Sequence, residues 1–499
     1  MQIEERQPVL TGLQPEGPSG GRRRSSVVKR ALIGVVAGCV VLGGVLVLLP
    51  SALDSAPPPS PGPVVARAAA GPVAARARAA SGAGVPAALP DLAALIGDRE
   101  AHLRAHPRDE QSWAVLGAAY VEQGRRTATP AYFPKAEQAL RTSLAAAPKQ
   151  NVAALDGLAA LANARHDFRA GRKWGEAALK LAPKRWTTYP LLIDSYTGLG
   201  DYKAARTALE KLQGLHSGPP VLVEASQVYW ERGWREDAVA ALADAAAGSG
   251  TPAERAAWLE ESGRLAWERG DREESLRFYE SALRTDRDRH SALAGQGRAL
   301  AALGRTSEAQ RAYQAALAKQ PEPRYALELG ELYETLGLAD AARAQYDLLR
   351  ERVRTEAANG VNNELLLGLF EADHGDPATA VRRLRAEWKR QPGIAVVDAL
   401  GWALHRAGLD EEALKFATRA TDKLHGGGVR SALYMFHRGQ IERDLGLAGS
   451  ARRHLEESLR INPYFSPAFA PMARQALDAL GEPAAEPLPQ TAQPVAGSR

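Results

Sequence analysis

The 499-residue sequence predicts an all-α solenoid of about ten helix-turn-helix repeats, preceded by one transmembrane helix. Three observations predict it. First, a glycine recurs between apolar-periodic segments at Gly124, Gly200, Gly233, Gly270, Gly304, Gly337, Gly375, Gly408 and Gly446, with His166 filling one gap; the successive separations are 42, 34, 33, 37, 34, 33, 38, 33 and 38 residues. A period in this range marks stacked supersecondary units. Second, small residues recur at two further places in the same register. Third, one 19-residue stretch near the N-terminus is apolar and uncharged.

The elements follow in chain order. Residues 1–30 form a basic tail that ends in Lys29 and Arg30. Ala31–Leu49 is the apolar stretch; as a helix it spans roughly 28 Å, close to a bilayer core. Arg22, Arg23 and Arg24 also precede it, and no basic residue follows before Arg67. The bias of positive charge toward the cytoplasmic side puts the N-terminus inside and the rest of the chain in the extracytoplasmic space. Two other readings remain open for this segment. One is a cleaved signal peptide; the other is a lipoprotein signal at Val36-Ala37-Gly38-Cys39, which Val40–Leu49 argues against by staying hydrophobic. Gly34 and Gly38 stand four apart and would permit a close helix dimer, or simply face lipid. Residues 50–90 are rich in Pro and Ala and read as a semi-extended linker. Residues 91–480 form the solenoid with a capping helix at each end, and residues 481–499 read as a disordered tail.

Within the solenoid, the turn glycine sits where a helix ends and a left-handed residue is wanted. Seven residues earlier stand Gly117, Gly263, Gly297, Gly330, Gly368, Gly401 and Gly439; five residues after the turn stand Ala309 and Ala413 with their equivalents. Glycine inside a helix costs about 1 kcal/mol relative to alanine, so its recurrence needs a compensating gain. Close crossing of the two helices of a hairpin supplies one.

This pattern resembles the tetratricopeptide repeat. In register with Gly297 the chain offers Leu293, Leu300, Ala309, Tyr313, Ala316 and Pro321; the first repeat offers Trp113, Leu116, Gly117, Tyr120 and Pro148. The resemblance covers residues 110–465. It implies a right-handed superhelix in which the first helix of each pair lines a concave wall that binds peptides or proteins. The side chains it turns toward that wall include Trp230, Trp267, Arg264, Arg298, Asn362, Asp398, Trp402, His405 and Gln440. The three tryptophans would either anchor a ligand or pack between neighbouring repeats.

Charge narrows the partner. Residues 91–499 carry 54 basic and 54 acidic side chains, which argues against a nucleic-acid groove. The mixed wall suggests a peptide or protein ligand of no strong charge. Cys39 is the single cysteine, so no intrachain disulfide and no thiolate metal cluster is possible. No hydrolase, phosphate-loop or metalloprotease motif occurs, and no catalytic residue, cofactor or metal is expected. His102 and His106 share a helical face but read as structural. The functional expectation is a membrane-anchored extracytoplasmic adaptor or scaffold. The alternative is an accessory or assembly factor of a membrane enzyme or of an export or maturation complex.

Overall fold

The computed structural model describes residues 72–82, 86–422 and 428–481, all within one compact unit. These residues form 23 helices and no strand. A leading pair, α1 (Pro72–Gly82) and α2 (Leu89–Ala105), precedes ten hairpins. In order these are α3 (Glu110–Arg126) with α4 (Tyr132–Ala146), α5 (Val152–Ala164) with α6 (Phe168–Leu181), α7 (Thr188–Gly198) with α8 (Tyr202–Leu215), α9 (Pro219–Glu231) with α10 (Arg235–Ala247), and α11 (Pro252–Glu268) with α12 (Arg272–Thr285). The second five are α13 (His290–Ala302) with α14 (Thr306–Lys319), α15 (Pro323–Thr335) with α16 (Ala339–Ala358), α17 (Glu364–His374) with α18 (Pro377–Arg390), α19 (Ile394–Arg406) with α20 (Asp410–Thr421), and α21 (Ala432–Asp444) with α22 (Ala448–Ile461). The closing helix is α23 (Phe469–Leu480).

The hairpins cross tightly where the small residues fall. A Cβ added to Gly297 would stand 2.8 Å from the Tyr313 ring; one on Gly330 would meet Tyr346 at 2.3 Å, and one on Gly368 would meet Leu384 at 2.4 Å. The aromatic or leucine side chain of the second helix therefore fills the space that the glycine leaves. Ala309 and Ala413, fully buried, do the same from the other helix. At the turns, Gly304 adopts φ 73° and His166 adopts φ 56°. Each is followed by the start of the second helix, and Asp167 caps α6 by accepting the Ala170 N–H at 3.2 Å.

Three sequence expectations change. Gly124 is not a turn residue: α3 runs on to Arg126, and Gly124 makes room for Phe133, whose ring lies 2.7 Å from the position of its missing Cβ. Gly375 has φ −141°, so its hairpin turns without a left-handed residue. The linker reading of residues 50–90 fails at its end, where Pro72–Gly82 is α1. Its alanines have the highest helix propensity, and Ala74 and Ala77 are buried with Leu92 and Leu95 of α2. The expected transmembrane helix at Ala31–Leu49, the Gly34/Gly38 pair and the residue 1–30 tail lie outside the described residues, as do residues 482–499. Among the described residues no helix is long and apolar enough to cross a membrane.

The solenoid winds back onto itself. The turn of each of five consecutive hairpins meets a loop 192 to 196 residues further on, and one of them also meets a second loop 225 residues on. Gln320 donates its amide to the Arg126 carbonyl at 3.3 Å. Beyond α5, the ring of His166 lies 2.9 Å from the Asn362 carbonyl, and Gln391 donates to the His166 carbonyl at 2.9 Å. Tyr202 accepts the Ile394 N–H at 3.1 Å. Arg235 donates to the Arg430 carbonyl at 3.0 Å. Asn462 donates to the Trp267 carbonyl at 2.7 Å. The turns after α3, α5, α7, α9 and α11 thus rest on the loops before α15, α17, α19, α21 and α23. The offset stays constant because every repeat adds a similar rotation. At three of these turns the carbonyls of Arg126, His166 and Trp267, at or beside a helix C-terminus and without a partner within the helix, are satisfied by the next turn of the winding.

Candidate functional site

The winding encloses a cavity of about 930 Å³, lined by residues from Leu89 through Arg474. Its wall follows one register of the repeats. The residue directly after each crossing position lines it in six consecutive hairpins: Asp194, Gln227, Arg264, Arg298, Glu331 and Leu369. This follows from helix geometry, since a side chain one step past the crossing contact points roughly 100° away from the partner helix.

The nine expected ligand-facing residues divide between the cavity and the packing around it. Trp267, Arg264, Arg298, Asn362 and Asp398 line the cavity; Trp230, Trp402, His405 and Gln440 do not. Trp230 is buried with Trp258 and Leu242, and the Arg235 guanidinium lies 5.0 Å from its ring. Trp402 stacks on His437 at 4.3 Å and gives its indole N–H to Asp373 at 3.0 Å. Phe469 of the closing helix lines the cavity and packs edge-on to Trp402 at 5.7 Å, so it covers the tryptophan. Gln440 is buried, and His405 holds Asp410 at 2.5 Å. Packing between repeats and against the end helix is what these four side chains do in the structure.

The wall is acidic. Twelve carboxylates line it against seven guanidinium groups, unlike the uncharged balance expected from the sequence. Most of the carboxylates are paired. Arg298 grips Glu328 through one nitrogen with both oxygens, at 2.7 and 2.8 Å, and Arg324 and Tyr313 complete that group at 3.1 Å each. Although burial pushes Glu328 upward, Arg298 and Arg324 draw it below the ordinary carboxylate range. Arg289 pairs with Glu260 at 2.6 Å, Arg264 pairs with Glu261, and Asp398 accepts from His437 at 2.9 Å.

Other carboxylates are less well paired: among the described residues Glu322 pairs only with His290, at 3.9 Å, and Asp194 of the wall with Glu224 outside it are a further case. Asp194 of α7 and Glu224 of α9 are 6% and 2% exposed, and Asp194 Oδ2 and Glu224 Oε2 accept no hydrogen bond. Burial pushes Asp194 up to about 7, against the opposing pull of Arg125. Burial, then the neighbouring Asp194 charge, raises Glu224 well above the usual range. Asp156, one hairpin earlier, shows the contrast. Burial raises it to about 6, but Arg185 and Thr188 hydrogen-bond it at 2.6 and 2.8 Å. Glu224 was not among the residues expected to face the wall, and it does not line the cavity. It stands two places before the small residue Ser226, off the register that the glycines define.

His102 lies 2.9 Å from Asp109 and its ring stacks on His106 at 4.3 Å, which is a helix-end packing arrangement. Among the described residues no group of three or more His, Cys, Asp or Glu side chains is arranged to hold a metal ion.

The tetratricopeptide repeat family model matches residues 261–309 and 294–357, so this middle stretch carries that repeat. Solved structures give weaker likenesses. A human IFIT1 dimer with PPP-AAAA is 15% identical over 74% of this chain and 88% of its own, with a TM-score of 0.41. Yeast Tom70 is 13% identical over 73% and 95%, with a TM-score of 0.32. A tetratricopeptide repeat protein from Parabacteroides merdae is 18% identical over 52% and 98%, with a TM-score of 0.32. No curated protein matches the sequence significantly.

Proposed function

We propose that this helical solenoid, with tetratricopeptide repeats at its centre, is a membrane-anchored extracytoplasmic scaffold that holds a peptide or an extended protein segment inside its winding. The observation that carries this reading is the cavity of about 930 Å³ on the inner wall. It has the size of known ligand sites, and its lining mixes apolar surface with convergent polar groups. An extended segment suits it, because the wall repeats its register from hairpin to hairpin and offers contacts at regular intervals. Trp267 supplies an aromatic surface there, with the Arg298 guanidinium 5.9 Å from its ring.

Anchoring rests on the apolar run Ala31–Leu49 and the basic residues before it. An anchor would concentrate the captured segment near the bilayer. Photo-crosslinking from an unnatural amino acid at Leu369, followed by mass spectrometry, should recover a peptide joined to the cavity wall. Crosslinks confined to the outer helices α4, α6 and α8 would overturn the reading. A reporter fused after residue 480 should be active only outside the cytoplasm, and activity confined to the cytosol would remove the topology.

A further inference from the structure

We infer that the seam inside the chain continues between chains: the free turns of the later hairpins dock, head to tail, on the free loops between the early repeats of a second copy. This goes beyond the scaffold reading and does not rest on it. The seam uses only half of the elements that can form it. The turns after α3, α5, α7, α9 and α11 rest on later loops, and a Cβ added to Gly200, Gly233 or Gly270 would stand 2.8, 2.5 or 3.0 Å from Pro392, Gly428 or Pro463 of those loops. The turns after α13, α15, α19 and α21 carry the same left-handed glycine, yet a Cβ on Gly304, Gly337, Gly408 or Gly446 would meet nothing within 4 Å. The loops show the same contrast. A Cβ on Gly393, before α19, would stand 2.6 Å from the Gly198 carbonyl, whereas one on Gly218, before α9, would meet nothing. One edge of the solenoid therefore ends in unused turns and the other in unused loops, the two halves of a single contact.

The side chains on these edges suit each other. Among the described residues seven large apolar side chains are exposed, and six of them lie here: Leu336, Leu338, Leu409 and Leu447 at the turns, Leu181 and Leu215 beside the loops. Leu338, Leu409 and Leu447 occupy N-cap positions and cap nothing, although leucine is a poor residue there. At the sealed turns Asp167 and Asp201 hold the equivalent places and do cap their helices. The leucines give up local stability, and burial against an apolar partner compensates. Charge points to the same partner. The free turns with the first turn of the helix after each, residues 303–309, 336–342, 375–380, 407–413 and 445–451, hold six carboxylates and one guanidinium. The free loops with the last turn of the helix before each, residues 102–109, 143–151, 178–187, 212–218 and 244–251, hold six lysines or arginines and two carboxylates. An acidic edge is repelled by an anionic bilayer and attracted by the basic edge of another copy. The free loops carry Ala147 and Ala182 where the sealed ones carry Gln320, Gln391 and Asn462, so the contact between copies is apolar and ionic and lacks the amide bonds of the internal seam. Because it joins two different surfaces, each added copy leaves one of each exposed, and the copies form an open row.

The test is sedimentation velocity of the full-length chain in mild detergent. The natural chain should pass from monomer to dimer and longer rows as its concentration rises. The turn-edge variant Leu338→Asp/Leu409→Asp/Leu447→Asp and the loop-edge variant Leu181→Asp/Leu215→Asp should each need at least tenfold higher concentration to associate. Mixed together, the two variants should form one-to-one dimers and stop there, because each supplies the edge that the other lacks. Association unchanged in both variants places the contact elsewhere and overturns the inference, as does a mixture that stays monomeric where the natural chain associates. A natural chain that is monomeric at every concentration also overturns it; weaker flotation of the turn-edge variant with phosphatidylcholine vesicles would then assign the leucines to a bilayer. If the variants do not fold, carbodiimide cross-linking of the natural chain decides: links from Lys149 or Lys184 to Asp410, Glu411 or Glu412 in a dimer band support the row, and a dimer band without them overturns it.

Discussion

Asn462 donates its side-chain amide to the backbone carbonyl of Trp267 across 195 residues of sequence, at 2.7 Å, and is 2% exposed. Removing a buried donor so that its acceptor is left unsatisfied costs about 1–3 kcal/mol. Asn462→Ala should lower stability by that amount and accelerate amide exchange at residues 268–272 and 462–465, with little change in α3. Faster exchange restricted to α23 would show that this bond does not hold the two turns together.

The crossing glycines make a second case. Gly297→Ala gains about 1 kcal/mol of helix propensity, but its methyl group would meet the Tyr313 ring at 2.8 Å. Overpacking typically costs 1–3 kcal/mol, so a net loss of roughly 1 kcal/mol is expected by urea denaturation. Gly449, within α22 and open around its Cβ position, should respond in the opposite sense, with Gly449→Ala stabilising by up to about 1 kcal/mol. Equal effects at the two sites would refute the crossing role.

The Asp194–Glu224 pair fixes a pH dependence. Both carboxyls bind protons more tightly in the folded chain than in the unfolded one. Their favourable contribution is complete below the unfolded carboxyl range near pH 4, and it is lost as the pH rises through about 7 for Asp194. Arg125 is the cation that opposes this shift. Denaturation midpoints should therefore fall from pH 5 to pH 8, and Asp194→Asn should flatten the fall. A slope identical to that of the natural chain would remove these groups from the account.

Trp402 tests packing against binding. It is 2% exposed and stands among Phe436, His437 and Phe469. Trp402→Ala should cost about 3–5 kcal/mol through the cavity it leaves and should loosen α23. A melting temperature within one degree of the natural chain would mean that the tryptophan is not part of that core.

How much of this was legible depended on the range of the signal. The hairpins were readable because each needs only local information: a turn, a small residue seven places before it, and another five after. The return of the winding depends on a rotation summed over more than five repeats, which no short window contains. Its trace in the sequence is nevertheless specific. The residue before the closing proline is Ala147 or Ala182 in early repeats but Gln320, Gln391 or Asn462 in later ones, and those three amides make the bonds between turns. The wall was readable in part for the same reason. Arg264, Arg298 and Trp402 share one register, but only the first two face open space, because the closing helix covers the third. The helix at Pro72–Gly82 was obscured by the prolines and glycines around a run of alanines.

The bonds between turns also set a schedule for synthesis. The N-terminal half of the seam leaves the ribosome about 195 residues before its counterpart, a delay of roughly 10–40 seconds at typical translation rates of ~5–20 residues per second. During that interval the Arg126, His166 and Trp267 carbonyls lack their seam donors, and the chain is an open spiral with an unsealed wall. A bound segment need not thread into a finished tube: it can be laid along the first half and enclosed as the second half arrives.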